Sequence, residues 1–514
     1  MPRQKQILLV AIIVAAVADN ALAAPPEATA LTAQIDSNIE ARLNAEKLSP
    51  AMRSDDAEFV RRVHLDLHGV VPTAEQVVRF LDDTRSDKQA RLIESLLADS
   101  RYGEHLADIW QRYLVSPLQD VPPAQRDGFR KWLAERFNTS TWDRIATDLL
   151  TATGTMEENP SVIYLIEGRH PRSVTALADL SSRYFLGVRL NCAQCHDHPF
   201  AKMTRKDYWG MAAFFAQMQT PGRPKTVYRF GVRDAPGITL ATLQNAGMLD
   251  EFVSRPPTFL GGNELQSDNG KPHRRALAEW MTSPKNPYFA RAIVNRMWWR
   301  FFGRGIVEPV DDMHSANQPS HPELLKLLSE RFVDSGFDLK FLSRAILLSR
   351  AYQRTSRPGN ASEKQAVLFG RMSVKVLSAG QLYDSLVQVL GPPAREKGVN
   401  VGLGVRREFT GFFAEQGDPD PLAYHRGIPH LLRLMNSRQF AGRNISALVT
   451  RLTASGASEE TVIEKLYLTI LSRRPTKDEQ QIVRKHLRES RSDANAYQEL
   501  AWALLMSSEF SLNR

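Results

Sequence analysis

Only two cysteines occur in 514 residues, so at most one disulfide can form within the chain. Long apolar runs are also missing. The stretch Ile7 to Ala18 has 12 residues, short of the roughly 20 that a membrane-spanning helix needs. No block of lysine or arginine exists, although the formal charge is +9; the basic residues are scattered among acids, as at Arg101, Glu104 and Asp108. Such scatter describes a mixed solvated surface rather than a nucleic-acid footprint. The chain has no Gly-rich phosphate loop, nucleophile elbow or HExxH pair. It has no third copy of any internal unit, which excludes a solenoid. What is present, 43% hydrophobic and 24% charged residues, is the composition of a globular protein long enough for two or more cores.

The N-terminus sets an expectation about compartment. Arg3 and Lys5 precede the apolar run, and Ala21-Leu22-Ala23 follows it. A charged start, a short apolar core and an A-x-A site together read as a secretory signal peptide over residues 1–23. The mature chain is therefore expected to lack a transmembrane segment and to reside in the periplasm or cell envelope. That location removes nucleic acid as a partner and places the thiols in an oxidising compartment.

The remaining chain reads as mainly α. An Ala-rich, polar stretch over 24–45 is expected to be a flexible lead-in followed by a first helix. Val60, Val63 and Leu67 form a helical stripe that Gly69 ends, and Thr73 with Gln76 forms a capping box for the next helix. His64 and His68 lie four apart, but with Gly69 beside them and no third ligand they are assigned structural roles. A helical run from Arg172 to Leu190 is predicted to lead into the cysteines. Thr204 and Asp207 are predicted to cap a helix from Arg205 to Met218. Between 219 and 270 proline and glycine become frequent, and Thr226 to Phe230 alternates like a strand, so this stretch is predicted as a loop-rich connection carrying a small β element. Beyond it, helices are predicted from Asn286-Pro287 to Phe302, from a Ser320/Glu323 capping box to Val333, and from Phe341 to Tyr352. Others follow over Gln381 to Leu390, from Ile428 to Leu452, and from Glu459 to Leu471. One echo joins the two ends: Pro72-Thr73 then Leu96-Leu97, and Pro475-Thr476 then Leu504-Leu505.

Chemistry concentrates in Asn191-Cys192-Ala193-Gln194-Cys195-His196-Asp197-His198-Pro199-Phe200, which holds both cysteines. Cys-x-x-Cys-His is the attachment spacing of a c-type haem: two thiols for thioethers and an imidazole for iron. On this reading Cys192, Cys195 and His196 bind haem c, and Met211 and Met218, seven apart on one predicted helix face, are candidates for the opposite axial position, with Met203 beside them. Two alternatives use the same residues. The cysteines can form a structural disulfide, leaving no cofactor, or zinc can be held with His196 and His198 as nitrogen ligands. A second candidate is the helix bearing Arg291, Asn295 and Arg296, which is suited either to gripping carboxylates, such as haem propionates or an acidic sugar, or to internal pairing with Glu308, Asp311 or Asp312.

Four stretches in order carry a resemblance: His64-Leu65-Asp66-Leu67-His68-Gly69 with Pro72-Thr73; Phe185-Leu186-Gly187 through Cys192 to Phe200; Asn286-Pro287 through Asn295-Arg296 to Gly305; and Ser320-His321-Pro322-Glu323. They resemble an exported planctomycete-type family of unknown function, in which a cytochrome-like domain precedes a second planctomycete-specific domain. The resemblance implies a helical cytochrome-like domain over 46–218, the connection over 219–270 and a helical second domain over 271–514. The Cys-x-x-Cys-His spacing and the expected compartment together point to one haem and a redox or electron-transfer role with a redox partner. The alternatives are an exported helical scaffold, perhaps associated with extracellular polysaccharide, or a metal-dependent hydrolase using His196, Asp197 and His198.

Overall fold

The computed structural model describes residues 26–115, 121–167, 170–197, 202–219, 231–245, 255–266, 270–357, 363–392, 403–412, 422, 443–454, 456–490 and 493–514. It is mainly α, with strands only in short two- and three-stranded pieces, as the periodicity predicts. Among the described residues no helix is long and apolar enough to cross a membrane. The signal-peptide segment, the Thr226–Phe230 alternation and His198 lie outside the described residues.

Two compact units divide the chain: residues 1–99 with 347–514, and residues 100–346. This partition differs from the linear succession expected from sequence, because the first unit is built from both ends of the chain.

In that first unit the stretch expected to be a flexible lead-in followed by a helix is a single helix, Pro26–Ala45. Leu31, Ile35, Ile39 and Leu43 recur every four residues and are buried, a stripe diluted by the surrounding alanines and polar residues. Asp36 fixes it by accepting the Arg350 backbone N–H at 2.8 Å. The helix Asp56–Leu67 is capped by Asp55, which accepts the Glu58 N–H, and every residue from Glu58 to Leu67 is buried. Its charges are all engaged. Arg62 donates to the carbonyls of Tyr352 (2.7 Å), Arg354 (3.0 Å) and Arg514 (2.9 Å) and pairs with Glu58. Asp66 accepts from Lys375 (2.6 Å), Asn513 (2.7 Å) and Tyr352 (2.8 Å). His64 and His68 meet edge to face at 6.0 Å and bond the carbonyls of Val60 and Leu96, which is the structural role expected of them.

The echoed ends fall together in this unit. Both Thr73/Gln76 and Thr476/Glu479 form complete capping boxes. The helices Ala379–Leu390, Glu459–Leu471 and Asp493–Leu505 pack into a core containing Leu386, Leu466, Ile470 and Phe510. The ribbon Lys375–Val376 with Leu512–Asn513 pairs antiparallel beside them.

The second unit is organised on an aromatic column. Trp110 lies 4.5 Å from Trp142, which stacks on Phe289, which meets Phe337 edge to face. The helix Arg101–Leu114 comes against Pro123–Thr139 at Gly103, where a Cβ would lie 2.2 Å from the Ala134 carbonyl oxygen; only glycine permits that approach. A three-stranded antiparallel sheet has Gly231–Asp234, which directly follows the undescribed Thr226–Phe230, running between Gly154–Thr155 and Met218–Gln219. Arg274 ties it down, with both Asp234 oxygens and the carbonyls of Leu150 and Ala152 as acceptors.

Several helix ends differ from expectation. The run to Leu190 stops at Leu186, where Gly187 turns left-handed (φ 69°) with Ala292 and Met313 crowding it. The helix from Arg205 ends at Ala213, because the next N–H groups reach back three residues instead of four (Phe215 to Ala212, Ala216 to Ala213). The Ser320/Glu323 capping box does not form: Ser320 bonds the Ile306 carbonyl instead, and His321 precedes the helix Pro322–Asp334.

Candidate functional site

The site is built in the second unit. After Gly187 the chain buries Val188 and Leu190 and then makes a 3₁₀ turn, Asn191–Gln194. Among the motif's described residues only Ala193 is buried; Cys192, Cys195 and His196 are exposed and the two thiols are unbonded. The turn is clamped from one side by the helix Arg205–Ala213. The Gln194 carbonyl accepts Trp209 Nε1–H and Arg205 Nε–H, both at 3.2 Å, and its side-chain oxygen accepts the Tyr208 hydroxyl at 3.2 Å. Asp197 accepts the Arg205 backbone N–H at 2.8 Å, and Thr204 with Asp207 completes a capping box. The motif thus has a rigid root and an exposed reactive face.

His196 has a defined tautomer. Its Nδ1 lies 2.8 Å from the Asp197 carbonyl. A carbonyl can only accept, so Nδ1 donates in this contact and any lone pair on the ring is at Nε2. An imidazole that ligates a metal is held in this way.

Beside this root opens a cleft of about 710 Å³. One wall is the stretch Lys202–Asp207. A second is the hairpin 257–265, which turns through Gly261 and Gly262, both at positive φ. That hairpin is held by Thr258, whose N–H reaches the Gly210 carbonyl, and by Phe259, sandwiched between Phe214 and Trp280. A third wall is the start of the helix Phe289–Phe302, with Tyr288 and Arg291 lining the cleft. Burial, and then the nearby Asp207, push the Tyr288 phenol above its ordinary pKa. The last wall is the loop 307–319, where Met313 donates its N–H to Gly187.

The candidate residues separate clearly. Met211 is fully buried on the helix Arg205–Ala213, whereas Met218 is in a strand, so the shared helix face expected for them does not exist. Met203, by contrast, lines the cleft, and so does Met313. Of the proposed anion residues only Arg291 is exposed, in the cleft. Asn295 is wholly buried and uses its amide on Val307 N–H (2.9 Å), Val307 O (2.9 Å) and Val310 O (3.0 Å). Arg296 pairs with Asp311 and lies over the rings of Trp110, Tyr113 and Tyr184. Both therefore hold the 307–311 loop in place. Lys202, Arg255 and Met313 were missed in the sequence because they sit on segments without periodicity, and Lys206 because it lies on the polar side of a predicted helix with nothing to mark a ligand. Among the described residues no three His, Cys, Asp or Glu side chains gather as a metal site.

The fold and motif thus define a mainly helical protein with an exposed, well-rooted Cys-x-x-Cys-His turn. Residues 34–220 match the family described as PSCyt2, protein of unknown function (DUF1549), and residues 273–410 match that described as PSD1, protein of unknown function (DUF1553). The chain carries these two planctomycete-type domains. No curated protein and no solved structure matches it. Each family stretch contributes to both compact units, since the unit boundaries fall after residue 99 and after residue 346, inside the two matched segments.

Proposed function

We propose that the chain is an exported protein of the periplasm or cell envelope that carries one covalent c-type haem and serves a redox or electron-transfer role. The observation that carries this reading is the motif's exposed face: an exposed His196, its Nδ1 2.8 Å from the Asp197 carbonyl, in one short turn with two unbonded, exposed thiols. The donor set fits the group. Cys192 and Cys195 would form the thioethers, and His196 Nε2 would be the proximal ligand. Once bound, haem supplies a one-electron couple.

The protein's own residues prepare that site. Buried Ala193 and the Gln194 contacts to Trp209, Arg205 and Tyr208 hold the turn so that both cysteines stay on its outer face. Asp197 sets the imidazole tautomer through its carbonyl and caps the following helix through its carboxylate. Met203 and Met313 are the thioethers lining the neighbouring cleft and, in place of Met211 and Met218, would be the methionines able to supply a further iron ligand.

Expression in a host with cytochrome c maturation machinery tests the reading. A Soret band and haem staining that survives denaturation are expected, both lost in Cys192→Ser/Cys195→Ser. A colourless wild-type protein whose cysteines resist alkylation until reduced would sink the haem reading and favour the scaffold with a structural disulfide.

A further inference from the structure

Among the described residues the cleft is lined by more cations than carboxylates. Lys202, Lys206, Arg255 and Arg291 line it, against the carboxylates of Asp207 and Glu264. None of the four cations forms an ion pair with a described residue, and Asp207 is occupied in accepting the Thr204 N–H (2.7 Å) and hydroxyl (2.8 Å). Elsewhere on the surface some cations are paired, Arg85 with Asp83, Arg91 with Asp87, and Arg474 with Asp82 and Glu464, and the four in the cleft are distinguished by sharing one concave space. Unmatched positive charge collects in a concave space, where low-dielectric walls strengthen its field.

The cleft's volume lies in the range of small-molecule sites, about 300–1,000 Å³, and its polar groups are of a mixed kind. Tyr288 keeps its proton, and Thr258, Asn317 and Gln318 add hydroxyl and amide groups that both donate and accept. A bare inorganic ion would leave those acceptors unused. We infer that this cleft binds a small organic anion bearing both carboxylate and hydroxyl groups, of the size of a sugar-acid disaccharide. Arg291 and Arg255 grip the carboxylates, and the amide and hydroxyl side chains take the hydroxyls. Arginine's planar fork suits bidentate carboxylate recognition, and the lysines add screened attraction.

The same carboxylate chemistry has two sources, a free sugar acid or the propionates of a haem attached at Cys192 and Cys195, and the experiment separates them. Digalacturonate, with neutral lactose as control, is titrated calorimetrically into the wild-type protein and into haem-free Cys192→Ser/Cys195→Ser. Digalacturonate binding by the haem-free variant is expected, weakening as salt rises and falling about tenfold or more in Arg291→Ala, as for loss of a charge-assisted bidentate contact. Arg291 is exposed, so the substitution leaves the melting temperature unchanged, and Arg291→Lys restores part of the affinity. Binding by the haem-free variant but not by haem-loaded wild type identifies the propionates as the carboxylates that fill the cleft. Equal binding of lactose, or binding indifferent to Arg291→Ala combined with Arg255→Ala, or no binding by the haem-free variant, overturns the inference. The result does not depend on whether haem is attached in wild type, because the haem-free variant is tested in its own right.

Discussion

Replacing Asn295 with alanine removes the side chain that holds the loop wall of the cleft. Its amide satisfies three backbone groups, Val307 N–H, Val307 C=O and Val310 C=O. Asn295 is completely buried, so water cannot readily replace it, and each orphaned group costs about 1–2 kcal/mol. The sum is about 3–6 kcal/mol. Gly305 sharpens the point, since a Cβ there would sit 3.1 Å from the Asn295 amide and 2.3 Å from the Val307 carbonyl; the loop has little room to settle differently. Asn295→Asp keeps the acceptor for Val307 N–H but faces the two carbonyls with a buried charge, and is expected to be at least as damaging. Equilibrium urea unfolding gives the stability change, and amide exchange at Val307 reports the loop itself. A loss below about 1 kcal/mol with Val307 still protected would refute the argument. It would also return Asn295 to the list of residues free to contact a ligand.

Other outcomes follow from the same packing. Gly210→Ala places a methyl 2.6 Å from the Thr258 Cβ, and a destabilisation of about 1–3 kcal/mol is expected from the overpacking; calorimetric melting checks it, with an unchanged midpoint counting against a fixed hairpin. Lys375→Met leaves the Asp66 carboxylate buried without its cation and should cost about 3–5 kcal/mol, much of it recovered by adding Asp66→Leu; a denaturant midpoint like wild type's would contradict this. Arg473 pulls the Glu479 carboxyl down to about 2 from its ordinary 4.5, mainly by hydrogen bonding. The stabilisation from that carboxylate is complete above about pH 4.5 and is lost as pH falls toward 2. Allowing for its partial exposure, the contribution is about 1 kcal/mol. Glu479→Gln should flatten this part of the pH–stability profile, and a profile identical to wild type's would argue against the pair.

Local chemistry made much of the secondary structure legible. The box of Thr73 and Gln76, the cap of Thr204 and Asp207, the stop at Gly303 and the helix Glu459–Leu471 all involve residues a few positions apart. Their geometry is decided before any distant segment arrives. The Cys-x-x-Cys-His turn was legible as spacing for the same reason. Where a distant group competes, the local signal yields: Ser320 had the pattern of a cap and became a partner of the Ile306 carbonyl.

The sequence by itself determined a helical protein, the place of many of its helices, and one turn with Cys-x-x-Cys-His spacing. Only the tertiary structure decided which side chains face a ligand and which face the core. Arg291, Asn295 and Arg296 are neighbours on one helix, yet Arg291 lines the cleft while Asn295 is used on the Val307–Val310 backbone and Arg296 on Asp311. The two ends of the chain likewise share a unit because Arg62 and Asp66 bury their polar groups against residues about 290 to 450 positions away. Burying a charge is tolerable only when partners surround it, and those partners came from segments that no local pattern could identify.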